Sequence, residues 1–158
     1  MDINEQKRYA EQWAKSSEYF YYNNDYDWMC NQIESYRSIL EIGCGSGHST
    51  LSLIEHGHSV FSVEKNEYCL EKAKALIKNN GYTYGTVEEK LDECNVIFLL
   101  ADISDEDFLA RLYRASVDIV VCWNVGSYWS KDMLEFYKEK LLIYGLTWEQ
   151  IRENPESS

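Results

Sequence analysis

Proline is nearly missing from this chain: the one in 158 residues is Pro155, so nothing before it is interrupted by a ring that forbids helix or central strand. Paired cysteines are missing as well. Cys30, Cys44, Cys69, Cys94 and Cys122 are scattered, odd in number and never spaced C-x-x-C. That excludes a disulfide framework and a cysteine zinc site as organising features, and leaves reduced thiols packed as small apolar residues. His56 and His58 have no Cys or acidic companions at metal-ligand spacing, so no metal is expected. No apolar run approaches the roughly 18 residues of a membrane span. The opening MDINEQKRYAEQ lacks a signal-peptide core, which makes a cytoplasmic protein without membrane association the expectation.

Positive charge is also scarce. Fifteen Lys and Arg face 27 Asp and Glu, a formal charge of −12. Such a surface repels a nucleic-acid backbone, and the densest basic stretches, EKAKALIK and KEKL, read as solvated helix faces. Nucleic acid is therefore disfavoured as a partner, and a small-molecule substrate is favoured. What is present is ordinary globular material: 45% apolar and 27% charged residues, with no repeat or linker, in a length suited to one domain with a core.

Residues 3–20 read as a helix with Tyr9, Trp13, Ala14 and Phe20 on its apolar side. Asn23 and Asn24 signal a turn. Asp27 is the expected cap of a second helix, which buries Met29, Ile33 and Tyr36. Apolar runs then alternate with helical spacing. Strands are expected at 39–42, 59–63, 96–101 and 118–123, with helices between them. Gly57 and Gly81 end two of those helices, while Asn66 and Ser104 start two. The polar stretch YTYGTVEEKLDEC reads as a short helix with Val87, Leu91 and Cys94 inward. This alternation calls for an α/β fold with a mostly parallel sheet and right-handed crossovers.

Ligands of such folds bind at the carboxyl ends of the strands. The first strand leaves there through ILEIGCGSGH, residues 39–48. Its glycines let a ligand approach backbone without meeting a Cβ. The dinucleotide fingerprint G-x-G-x-x-G needs glycine where His48 stands, so a nucleotide-binding oxidoreductase fits poorly, and no Gly-Lys-Ser/Thr completes a Walker A loop. What remains is acid-x-Gly-x-Gly-x-Gly, written Glu41-Ile42-Gly43-Cys44-Gly45-Ser46-Gly47. A carboxylate inside an apolar strand is costly to bury without partners. Turn N–H groups or a ligand ammonium are the partners expected for Glu41.

With that motif, residues 39–123 resemble the class I S-adenosylmethionine-dependent methyltransferases, whose first strand ends in the same pattern. The resemblance implies a Rossmann-like three-layer αβα sandwich, partial here, with about four strands in the order 3-2-1-4. It implies S-adenosyl-L-methionine as cofactor, held around Glu41, Gly43, Cys44, Gly45 and Gly47. It also gives Glu64 the ribose hydroxyls, Asp102 the adenine amine, and Lys65 and Ile103 flanking positions. Residues 1–36, with Tyr19, Phe20, Tyr21, Tyr22, Tyr26 and Trp28, take the place of an aromatic lid ahead of a methyltransferase domain at 37–158. Tyr21 or Tyr22 is the lid residue expected to reach the cofactor. Asn124 and Tyr128, in CWNVGSYWS, fall beside the transferred methyl and are the catalytic candidates. Asn124 also borders the methionine end, and Trp129 the substrate cleft. An Asn/Asp-Pro-Pro-aromatic motif, which marks N6-adenine methyltransferases, is replaced by Asn124-Val125-Gly126-Ser127.

Family members carry seven strands. Here two helices are expected after Trp129, the second opened by a Thr147–Gln150 capping box. A fold truncated after the fourth strand is thus the expectation, with a homodimer through the exposed sheet edge. The main alternative to a methyltransferase is a non-catalytic adenosylmethionine-binding or assembly module. Glu64→Ala is expected to weaken cofactor binding with little loss of stability, on the premise that Glu64 is partly exposed.

Overall fold

A computed structural model describes residues 2–86, 93–112 and 117–123, within the compact unit Asp2–Trp123. Two helices come first. Helix α1, Ile3–Tyr22, starts at Asp2, whose carboxylate accepts from the Glu5 N–H at 2.8 Å. Helix α2, Asp25–Asn31, begins after Asn24, a left-handed residue with φ 63°. Asp27 therefore lies inside α2 and does not cap it. Of the expected Met29, Ile33 and Tyr36, Ile33 is buried, together with Tyr26 and Cys30, while Met29 is half-buried and Tyr36 exposed. Starting the helix three residues earlier shifts its inward stripe by the same step, because i, i+4 and i+7 now count from Tyr26.

Five strands follow, all parallel: β1 Ser38–Ile42, β2 Ser59–Glu64, β3 Tyr84–Gly85, β4 Val96–Leu100 and β5 Ile119–Val121. Their order is β3-β4-β2-β1-β5. The four expected strands keep the order 3-2-1-4. The two-residue β3 is added outside β4, where a helix had been expected over 82–94. Thr83 and Asn95 fix this edge, with the Thr83 N–H donating to Asn95 Oδ1 at 2.9 Å. Val87 and Leu91 lie outside the described residues, and Cys94 is half-buried beside the core.

Helices α3, His48–Glu55, and α4, Glu67–Asn79, link β1 to β2 and β2 to β3; α5, Glu106–Leu112, links β4 to β5. Alternation along each strand sorts side chains to two faces. Ile39, Val60, Val96, Phe98 and Val121 pack with Leu51, Leu53 and Ile54 of α3, Ala73 and Ile77 of α4, and Cys30 of α2. Leu40, Val63, Ile97 and Leu99 pack with Phe108 of α5 on the opposite face. That is the Rossmann-like αβα arrangement. Asn66 caps α4, accepting from the Tyr68 and Cys69 N–H groups at 2.9 and 3.2 Å. Asp105 caps α5 in place of the expected Ser104, accepting from Asp107 and Phe108.

Among the described residues no helix is long and apolar enough to cross a membrane. Among them β5 has one neighbour, β1. The expectations of an incomplete sheet and of a dimer along its edge concern chain beyond Trp123, outside the described residues.

Candidate functional site

Register places the glycine turn. Because Ile42 of β1 pairs with Val63 of β2, the chain leaving β1 hangs on the end of β2. The Gly43 N–H donates to the Val63 carbonyl at 2.8 Å, and the Gly47 N–H closes the turn on the Cys44 carbonyl at 3.0 Å. Gly45 and Gly47 hold φ of 55° and 94°, values that a side chain resists. A Cβ on Gly47 would lie 2.8 Å from Cα of Ala73, so this glycine also lets α4 approach α3. A Cβ on Gly45 would meet Nε1 of Trp13 at 2.1 Å. Gly45 is thus the point where α1 comes down on the turn.

Glu64 closes the turn from β2. Its Oε1 accepts from the Gly45 N–H at 3.0 Å and its Oε2 from the Asn66 N–H at 2.9 Å. The side chain is buried, 8% exposed, which corrects the expectation of a partly open carboxylate. The cause is the turn itself, which folds over the strand end and brings its own N–H to the acid. Each oxygen retains a second lone pair, so two further donors can be accepted.

Glu41 is buried more deeply, 3% exposed, and its partners differ from those expected. On the α3 face of β1 it stands opposite Ser62 in the register. Ser62 Oγ donates to Oε1 at 2.6 Å, Ser49 Oγ donates to Oε2 at 2.6 Å, and Thr50 Oγ1 donates to Oε1. Three hydroxyls, and no turn N–H, thus surround it. Burial raises its pKa; the Ser49, Ser62 and Thr50 hydrogen bonds oppose that, and the charge of Glu64 adds to it.

The remaining candidates spread around this centre. Cys44 is buried, its thiol donating weakly to the Gly45 carbonyl at 3.7 Å. Burial, then Glu41 and Glu64, push its pKa well up, so it is no nucleophile. His48 lies beside Ser46, 3.3 Å from Nδ1 to Oγ, and burial pushes its pKa down, which favours neutral imidazole. Asp102, just beyond β4, is exposed, and its Oδ1 accepts from the Ser104 N–H at 2.9 Å and the Ser104 hydroxyl at 2.8 Å. These bonds lower its pKa, helped by the charge of Lys65. Lys65 and Ile103 are exposed at the same strand ends. Asn124 and Tyr128 lie outside the described residues, as does Trp129.

The aromatic segment divides. Phe20 and Tyr26 meet edge to face at 6.1 Å, and Tyr26 stacks on Trp123 at 6.3 Å, so both serve the packing of α1 and α2. Tyr19, Tyr22 and Trp28 are exposed. Tyr21 donates its hydroxyl to the Glu55 carboxylate at the far end of α3, and burial followed by that bond raises its pKa. Its ring tilts against His48 at 5.9 Å. The aromatic side chain that meets the glycine turn is Trp13, which the cofactor reading had not included. Its signal was there, since helical spacing already set Trp13 on the inner side of α1. Among the described residues, no group of three or more His, Cys, Asp or Glu could hold a metal.

Two carboxylates, Glu64 buried and Asp102 exposed, thus stand as hydrogen-bond acceptors at neighbouring strand ends beside a turn with glycine at every second position. A family model described as "Methyltransferase domain" matches residues 39–141. The 23S rRNA (uracil(1939)-C(5))-methyltransferase RlmD of Shewanella halifaxensis is 27% identical over 120 residues, 75% of this chain and 24% of that protein. The chain thus spans about a quarter of the length of this curated relative. A Staphylococcus aureus structure assigned as a caffeoyl-CoA O-methyltransferase is 18% identical, with TM-score 0.50 over 87% of this chain and 68% of that one. The SAH-bound Podospora anserina methyltransferase PaMTH1 is 20% identical, with TM-score 0.49 over 80% and 49% of the two chains. The match to the family model covers the strands, the glycine turn and both buried acids, and on it the chain belongs to the methyltransferase-domain family, with the Rossmann-like class I fold that the motif had implied.

Proposed function

We propose that this chain binds S-adenosyl-L-methionine over residues 43–47 and directs its methyl group to a small-molecule acceptor. The observation that carries this reading is the 3.0 Å hydrogen bond between Gly45 and Glu64, which joins the two motif elements into one wall at the carboxyl edge of the sheet. When bound, the cofactor supplies an electrophilic methyl on a sulfonium, whose displacement needs alignment and exclusion of water more than proton transfer.

The residues have separate tasks in this proposal. The remaining lone pairs of Glu64 accept the ribose diol. Asp102 accepts the adenine amine, with Ile103 and Lys65 beside it, while the backbone of Gly43, Cys44, Gly45 and Gly47 faces the methionine end. Helix α1 serves as the lid of a segment covering 1–36, ahead of a catalytic domain from 37 onward. Three contacts support that role: the Gln6 carbonyl accepts from Asn66 Nδ2 at 3.1 Å, Trp13 lies on Gly45, and Tyr21 reaches Glu55. Asn124 and Tyr128 remain the catalytic candidates by position in the sequence. A formal charge of −12 favours an acceptor without a phosphate backbone, although the relative named above acts on 23S rRNA.

Calorimetric titration with S-adenosylmethionine and S-adenosylhomocysteine tests the reading. Saturable binding of both is expected, and no binding at millimolar cofactor overturns it. Glu64→Ala should weaken binding by about 1.5–3 kcal/mol. It should also lower the melting temperature, since the Gly45 and Asn66 N–H groups lose their acceptor. Normal cofactor affinity in that variant would remove Glu64 from the site. Binding without turnover on any acceptor would point to a binding or assembly module.

A further inference from the structure

The acid of the glycine motif never touches the open face of the turn. Glu41 is enclosed by Ser49 and Thr50 from the first turn of α3 and by Ser62 from the middle of β2, all 4% exposed or less. Thr50 Oγ1 and Ser62 Oγ also lie 3.4 Å apart, which makes one connected group. Helix α3 has no side-chain cap, because Gly47 stands at its N-cap position with φ 94°. Its first hydrogen bond within the helix runs from the Leu51 N–H to the Gly47 carbonyl at 2.8 Å. Glu41, accepting from the hydroxyls of residues 49 and 50, thus ties this first turn to β1. The same residues carry the backbone N–H groups that a helix leaves without partners at its start.

We propose that Glu41 is a positioning residue, not a cofactor ligand, and that it sets the first turn of α3 and the end of the glycine turn through Ser49, Thr50 and Ser62. This rests on the cofactor site proposed above. Ser62 gives the sharpest handle, because it is fully buried and cannot meet a ligand.

The test compares Ser62→Ala, Thr50→Val and Glu41→Gln, at a temperature where circular dichroism finds each folded. The readouts are the Kd for S-adenosylhomocysteine and amide hydrogen exchange of residues 45–50 without ligand. Ser62→Ala and Thr50→Val should each raise Kd about fivefold and speed exchange at 48–50. Glu41→Gln should stay within about threefold of the parent, because an amide accepts from one hydroxyl and donates to another. A loss above about tenfold in Glu41→Gln, with Ser62→Ala unchanged, would make Glu41 a direct ligand and overturn the proposal. A lower melting temperature with unaltered Kd and exchange in both hydroxyl variants would overturn it too, leaving a packing role alone. If the parent chain binds no cofactor, the cofactor reading fails by itself. Exchange at 48–50 then decides the positioning claim, faster exchange in Ser62→Ala supporting it and unchanged exchange rejecting it.

Discussion

Glu41 has to be ionised or neutral inside a cage of three hydroxyls, and its burial favours the neutral form. A carboxyl whose folded pKa exceeds its unfolded value near 4.3 contributes most below that value. The contribution is lost as pH rises through the folded pKa. The like charge of Glu64 acts in the same direction. Glu41→Gln keeps the cage but has nothing to ionise, so its stability relative to the parent should improve as pH rises above about 4.3. Urea unfolding at mildly acidic and mildly alkaline pH checks this, and an equal difference at both would contradict it. Glycine substitutions separate two kinds of obstacle. Gly47→Ala drives a methyl into Ala73 Cα, which is backbone, and forces a non-glycine into positive φ. It should cost on the order of 3 kcal/mol in unfolding free energy. Gly45→Ala meets the movable Trp13 ring instead, and should cost less stability while altering cofactor affinity. The motif was legible as residues, whereas the hydroxyl partners of Glu41 were not. They depend on the pairing of Glu41 with Ser62, a register that no local spacing encodes.

Helix boundaries were read well where a cap and a stop coincide with the apolar stripe. Asn66 and Gly81 bracket α4 in this way, and Gly57 follows α3 with φ 88°. Reading failed where a short element owes its form to distant partners. Strand β3 has two residues and exists because the neighbouring segment at 95–97 offers it a ladder and the Asn95 side chain. Helix α2 was misphased because Asn24 adopts a left-handed conformation and starts the helix early, which nothing in the spacing requires. Asn66 joins two elements, capping α4 through Oδ1 and holding the Gln6 carbonyl of α1 through Nδ2. Asn66→Ala should therefore cost more than the roughly 1 kcal/mol of a simple cap, since α1 loses an attachment as well. Chemical denaturation measures the total, and exchange at residues 3–12 reports the loosening of α1. A loss confined to α4, with α1 protection intact, would mean that Gln6 adds nothing to the docking of α1.

At the scale of the whole chain, net charge is what supports the proposed small-molecule acceptor. One fold hosts many functions, so neither the fold nor the turn selects the acceptor. Nucleic-acid partners, however, demand a counterion-releasing basic surface, and 15 basic residues against 27 acidic ones repel a phosphate backbone over any distance that salt leaves unscreened. Beside the proposed cofactor wall Lys65 is exposed, and its charge helps to lower the pKa of Asp102. The RlmD relative is about four times as long as the shared stretch, so recognition of its RNA need not reside in the part that resembles this chain. A fluorescent RNA stem-loop should accordingly give no saturable anisotropy change with this chain, even at about 50 mM salt, with or without S-adenosylhomocysteine. Saturable binding that weakens steeply between about 50 and 200 mM salt would reveal a basic surface able to hold a phosphate backbone. It would move the acceptor from a small molecule to RNA, and leave the cofactor wall built by Gly45 and Glu64 unchanged.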